Sequence, residues 1–132
     1  MDIIKENTNM TRINVGIPPA ELTDKHLLAE HREIKRIPNC VAKGKYNMDG
    51  IPSRFKLGKG HVKFFYNKLY YLLIRYLTLY RECKKRGFNV QNYASAWEGL
   101  PSELMNNYQV RCIDRKIVQE RIKEKLNKWE YL

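Results

Sequence analysis

Apolar side chains recur at alternating spacings of three and four through Val62, Phe65, Leu69, Leu72, Tyr76, Leu79 and Cys83, the repeat of one face of an α-helix. Tyr66, Leu73 and Tyr80 widen that stripe, so the spacing predicts a central helix from Val62 to a stop at Gly87, after Lys84, Lys85 and Arg86. A second helical pattern covers Glu21 to Arg36. At about 100° per residue it sets Leu27, Ile34 and Ile37 on one side and Lys25, Arg32 and Arg36 in a narrow basic stripe, with His26 and Glu33 together on the border of that stripe. Pro18, Pro19 and Glu21 predict its start, and Pro38, which disfavours helical geometry in the residue before it, predicts its end near Ile37. A third helix is expected from Ile113 to Asn127. It carries Val118, Ile122, Leu126 and Trp129 on one face and Arg121, Lys125 and Lys128 on another.

Between these elements periodicity fails. Thr11–Ile17 reads as a short extended piece, Asn39–Gly60 as an ordered irregular loop rich in glycine and basic residues, and Phe88–Asn107 as a loop around Trp97, Gly99 and Pro101. Gly58 and Gly60 lack the GxxxxGK[ST] context of a phosphate loop and read as a turn into the next helix. Residues Met1–Asn9 are polar and without period, a leader or a misplaced start that no core needs. The expectation is an all-α chain: a single compact domain of three helices with long irregular connecting loops, covering residues 10–132.

Charge then narrows the function. Lys and Arg number 25 against 14 Asp and Glu, a net charge of +11, which favours a polyanionic partner, nucleic acid before a membrane surface. The 3 cysteines, Cys40, Cys83 and Cys112, form no CxxC pair, so they read as small buried hydrophobes of a reducing compartment. With 3 histidines, His26, His31 and His61, they suggest no structural zinc site. No apolar run reaches a membrane span, and no signal-peptide h-region is present. The chain therefore reads as a soluble, intracellular monomer with no membrane partner.

Nothing in the sequence spells a Ser-His-Asp set, a metal motif or a carboxylate pair. The chemistry available is in Met10–Asn14, MTRIN. Thr11 is small enough to permit removal of a preceding initiator methionine, and translation from Met10 would leave its α-amine free. Such an amine titrates near 7.7 to 8.0, against about 10.4 for lysine, so its unprotonated fraction near neutrality is some hundreds of times larger. It is an imine-forming nucleophile. An amine attacking a sugar C1′ needs a neighbour that tolerates developing positive charge and shuttles protons, and Glu33 can supply it. The competing reading makes Glu33 an ordinary helix salt bridge to Arg32 or Arg36.

The blocks TRINVGIPPAELTDKHLLAEHREIKRIP, FKLGKGHVKFFYNKL, ECKKRGFN and VQERIKEKL resemble, in the same order, those of the pyrimidine dimer DNA glycosylases, the family of the T-even phage endonuclease V. The resemblance implies an all-α domain that recognises cyclobutane pyrimidine dimers in duplex DNA and acts as DNA glycosylase and AP lyase without metal or organic cofactor. On it, Thr11 matches the nucleophile and Glu33 the catalytic carboxylate. Arg12, Arg32, Arg36, Arg121 and Lys125 match residues holding the lesion strand, and His26 a histidine near the active site; Lys25 joins them from the basic stripe. The family kinks the duplex and flips a base opposite the lesion, so easily distorted damaged DNA is favoured. Three differences accompany the likeness: the leader, one extra residue near Pro18–Pro19, and a shorter aromatic C-terminus ending LNKWEYL. If the leader is retained, the same residues describe a non-catalytic DNA-binding module. A basic RNA-binding or architectural protein is a third reading.

Overall fold

The computed structural model describes residues 11–130, with side chains to Asn127. The leader, and the faces predicted for Lys128 and Trp129, lie outside what is described. Helices α1 (Asp24–Glu33), α2 (Arg36–Ala42), α3 (His61–Phe64), α4 (Leu69–Lys85) and α5 (Cys112–Glu130) are joined by 3-10 turns at Pro19–Glu21, Ala94–Trp97 and Ser102–Leu104, with no strand among the described residues. The all-α expectation holds. The count of three helices does not, because two of the predicted helices are each broken in two.

The first break falls at Ile34–Lys35, where α1 ends and α2 starts. Pro38 therefore does not end a helix. It sits in the first turn of α2, where a proline's missing N–H is one that no helix would use. The helix start is also later than predicted: the two prolines build the 3-10 turn, and α1 begins after Thr23, whose hydroxyl accepts the His26 N–H at 3.1 Å. Pro18 and Pro19 thus lie on a partly exposed turn ahead of α1.

The second break, at residues 65–68, separates α3 from α4. Asn106 organises it from across the chain: its side-chain amide donates to the Asn67 carbonyl at 2.9 Å, and its own carbonyl accepts the Tyr71 N–H at 3.2 Å. Despite the break, Val62, Phe65, Leu69, Leu72, Tyr76, Leu79 and Cys83 are all buried, and Tyr66, Leu73 and Tyr80 pack against them. The apolar stripe is the core. Gly87 ends α4 as expected, at φ +85° with its N–H to the Lys84 carbonyl and the Phe88 N–H to that of Cys83, the paired bonds of a left-handed helix stop. Next to it Arg86 fastens the Pro19–Asp24 segment to α4. Its guanidinium donates to the carbonyls of Pro19, Ala20 and Leu22 and to the carboxylates of Asp24 and Glu82.

Thr11–Ile17 threads the interior, with Ile13, Val15 and Ile17 buried among the helices. It turns at Gly16, which has φ +76° and comes so close to α5 that a Cβ there would stand 3.0 Å from Val110 Cγ1 and 3.1 Å from Arg115 Cβ. Only glycine permits that approach. At the start of α5, Asp114 accepts bonds from Tyr108, from the Arg111 N–H and from the Arg111 guanidinium. On α5 Val118 is buried and Ile122 packs on the core, whereas Leu126, expected on the same face, is exposed. The cysteines divide similarly. Cys83 is buried and Cys40 half-buried, but Cys112, expected inside, is exposed at the first turn of α5.

Candidate active site

Three elements meet where the threaded segment passes between α1 and α5. They enclose a cavity of about 220 Å³ lined by Arg12 and Asn14 from the segment, Lys25, His26, Glu30 and Glu33 from α1, and Arg121 and Lys125 from α5, with Ala29 and Ile122 completing the wall. Of the residues expected in a site, the fold brings together Arg12, Lys25, His26, Glu33, Arg121 and Lys125. Arg32 and Arg36 are not in the wall. Arg36 opens α2, so the break at Ile34–Lys35 removes it from the single-helix stripe, and Arg32 points outward, its side chain 57% exposed. Thr11 is buried next to Arg12 but is not itself a lining residue.

The cavity is predominantly cationic. Arg12, Lys25, Arg121 and Lys125 line it against Glu30 and Glu33, and Glu30 is already neutralised. Its carboxylate takes Arg75 Nε at 2.8 Å and Nη2 at 3.0 Å, and also the Asn14 amide at 2.8 Å, all buried. Arg75 also donates to the Ile17 carbonyl at 2.7 Å. This cluster ties the middle of the threaded segment to α1 and its C-terminal end to α4. Burial alone would lower the Arg75 pKa, but Glu30 more than offsets it and the value is raised. Glu33, one turn along α1, pairs among the described residues with Arg32 at 3.3 Å, and a pair this exposed on its arginine side contributes little.

Other groups carry the imprint of the same crowding. Arg12 is lowered from its ordinary value by burial and by Arg121, with Glu33 acting in the opposite sense. His26 is lowered by burial first, with Lys125, Lys25 and Arg12 adding to it against Glu30, so it is neutral near pH 7. Its Nδ1 lies 3.0 Å from the Thr23 hydroxyl; a proton donated there leaves Nε2 as the N–H. Among the described residues, Arg121 Nε and the Thr11 hydroxyl are buried without a hydrogen-bond partner.

Sequence reasoning missed three residues that shape this site: Glu30, Arg75 and His61. His61 is buried beneath the segment, where Nε2 accepts the Ile13 N–H at 2.9 Å and Nδ1 lies 2.8 Å from the Lys56 carbonyl, to which it donates. Burial holds its pKa down at about 4, with the Lys56 carbonyl acting the other way. A signal existed for Arg75, a charged residue beside the apolar stripe between Leu72 and Leu79. Its partner, 45 positions away, left none.

The described residues thus form a basic, all-α protein with a small cleft in which Glu30 and Glu33 lie among several cations. The chain belongs to the pyrimidine dimer DNA glycosylases, whose sequence model matches residues 10–95, from the threaded segment through α4 to the Ala94–Trp97 turn. Helix α5, with Arg121 and Lys125, lies beyond that match. The family implies a DNA substrate, and no described helix is long and apolar enough to cross a membrane.

Proposed function

We propose that the chain is a combined DNA glycosylase and AP lyase acting on cyclobutane pyrimidine dimers in duplex DNA, with Thr11 as nucleophile and Glu33 as catalytic carboxylate. The observation that carries this reading is the cavity that sets Glu33 among Arg12, Lys25, Arg121 and Lys125 beside the segment that begins at Thr11. Once the residues before it are removed, the Thr11 amine attacks C1′ and the base departs with the bonding pair. Loss of the amine proton and opening of the sugar ring give an imine. Glu33, neighbouring the developing iminium, stabilises its charge and takes a proton from C2′, whereupon the 3′ phosphate leaves by β-elimination. Arg12, Arg121 and Lys125 hold phosphates of the lesion strand, Lys25 and His26 border the lesion, and Arg32 and Arg36 contact the backbone outside the cavity. No step in this scheme draws on a cofactor.

One observation favours a second reading for the uncleaved chain. With Met10 attached, the Thr11 nitrogen is a peptide amide with no nucleophilic pair, and the same surface then binds DNA without cutting it. The test is Glu33→Gln, measured on a dimer-containing duplex. Binding within about twofold of wild type, with strand cleavage reduced by about 10²-fold or more, is the expected result. Undiminished cleavage removes Glu33 from the mechanism.

A further inference from the structure

A larger concavity lies on the other side of His61. About 670 Å³ in volume, it runs between the irregular segment 43–60 and α3, with Lys45, Lys56, Lys59 and Lys63 along it, Tyr46 and Tyr66 in its wall, and no carboxylate among the described residues that line it. The two tyrosine rings meet edge to face at 5.9 Å, so the wall is a packed surface. The lysines are spread along an open trough. Lys45, Lys56 and Lys59 are exposed, and the Lys63 ammonium reaches across to stand 3.8 Å from where a Cβ on Gly50 would be. Dispersed ammonium groups without a bidentate arginine suit a run of phosphates read as point charges.

The groove and the cavity are joined through one imidazole. The Lys56 carbonyl accepts from His61, and His61 accepts the N–H of Ile13, the neighbour of Arg12 in the cavity wall. A buried side chain thus ties the wall of the groove to the wall of the cavity. We propose that this groove is a second phosphate-binding site, holding the backbone of the duplex that flanks the lesion. The inference rests on the glycosylase reading for what is bound, and it adds a surface apart from the chemistry. The groove would contribute sequence-independent, salt-sensitive affinity and residence on undamaged DNA, while leaving the cleavage step alone.

The test compares the full chain with its Lys45→Gln, Lys59→Gln, Lys63→Gln triple variant, which leaves the Lys56 carbonyl and its bond to His61 in place. Fluorescence anisotropy across a salt series, on damaged and undamaged duplexes, should show the slope of log Kd against log salt reduced by about 2 to 3 in the variant, because each lost phosphate contact removes about 0.9. Single-turnover cleavage at saturating enzyme should be unchanged. An unaltered slope overturns the proposal, as does a loss of binding confined to anionic phospholipid vesicles, which would make the groove a membrane contact. Lys59→Glu, a single change at an exposed position, decides the same question if the triple variant does not fold: a slope lowered by about 1 or more supports the groove, and no change refutes it. Duplex binding that responds in this way, in a wild-type protein that cuts nothing, would defeat the glycosylase reading and leave the groove standing.

Discussion

Glu30 and Glu33 sit one turn apart on α1 and both line the same cavity, yet their surroundings differ in kind. Glu30 is 2% exposed and saturated by Arg75 and Asn14; its charge is committed to holding Thr11–Ile17 against the helices. Glu33 lines the cavity only partly buried and, among the described residues, pairs with the exposed Arg32 at 3.3 Å. The same side chain is fully buried and saturated in one place and partly exposed in the other. Burial with complete pairing suits Glu30 to a structural role, whereas the catalytic role proposed for Glu33 draws on its place among several cations.

That contrast breaks if the two residues respond alike. The largest expected effect is on chemistry. Glu33→Gln should lower single-turnover cleavage by about 10² to 10⁴-fold, while its unfolding free energy stays within about 0.5 kcal/mol of wild type. Glu30→Gln should do the reverse at the level of the fold. It leaves Arg75 buried without its counter-charge, at a cost of about 3 to 5 kcal/mol, visible in urea unfolding. Equal stability of the two variants would dissolve the distinction.

A smaller effect comes from His61, the third support of the segment. The unfolded imidazole titrates near 6.5 and the folded one at about 4, so between those values the unfolded chain binds the extra proton. The contribution of His61 is complete above about pH 6.5 and is lost as the pH falls towards 4, by about 3 kcal/mol in all. Urea midpoints should therefore fall more steeply over that interval in wild type than in His61→Gln; parallel curves would exclude His61 as the titrating support. Smallest of all, Arg32→Ala should change stability by no more than about 0.5 kcal/mol, since its bond to Glu33 is solvent-exposed. A loss of about 3 kcal/mol or more, the size of a broken buried pair, would show that Glu33 is held as Glu30 is.

What the sequence revealed follows from which interactions are local. The stripe from Val62 to Cys83 is buried throughout, because burial follows the period even where the helix does not. The break within it was hidden because Asn106, which caps both sides, lies 39 positions from Asn67. Pro38 misled for a related reason: the residue pattern does not say whether a proline ends one helix or opens another. His26, Glu33, Lys25, Arg12, Arg121 and Lys125 were legible through helical spacing and likeness to a family, and they share one cavity. Glu30 and Arg75 were not, since a buried ion pair across 45 residues leaves no periodic trace.

Whether the Thr11 amine is the nucleophile is decided by the intact mass of the natively expressed protein, followed by borohydride trapping on an abasic-site duplex and mapping of the joined residue. The expected result is a chain beginning at Thr11 and a covalent adduct through its α-amine. A protein that traps the sugar through a lysine of the cavity, or cuts the duplex while Thr11 remains internal, would contradict it.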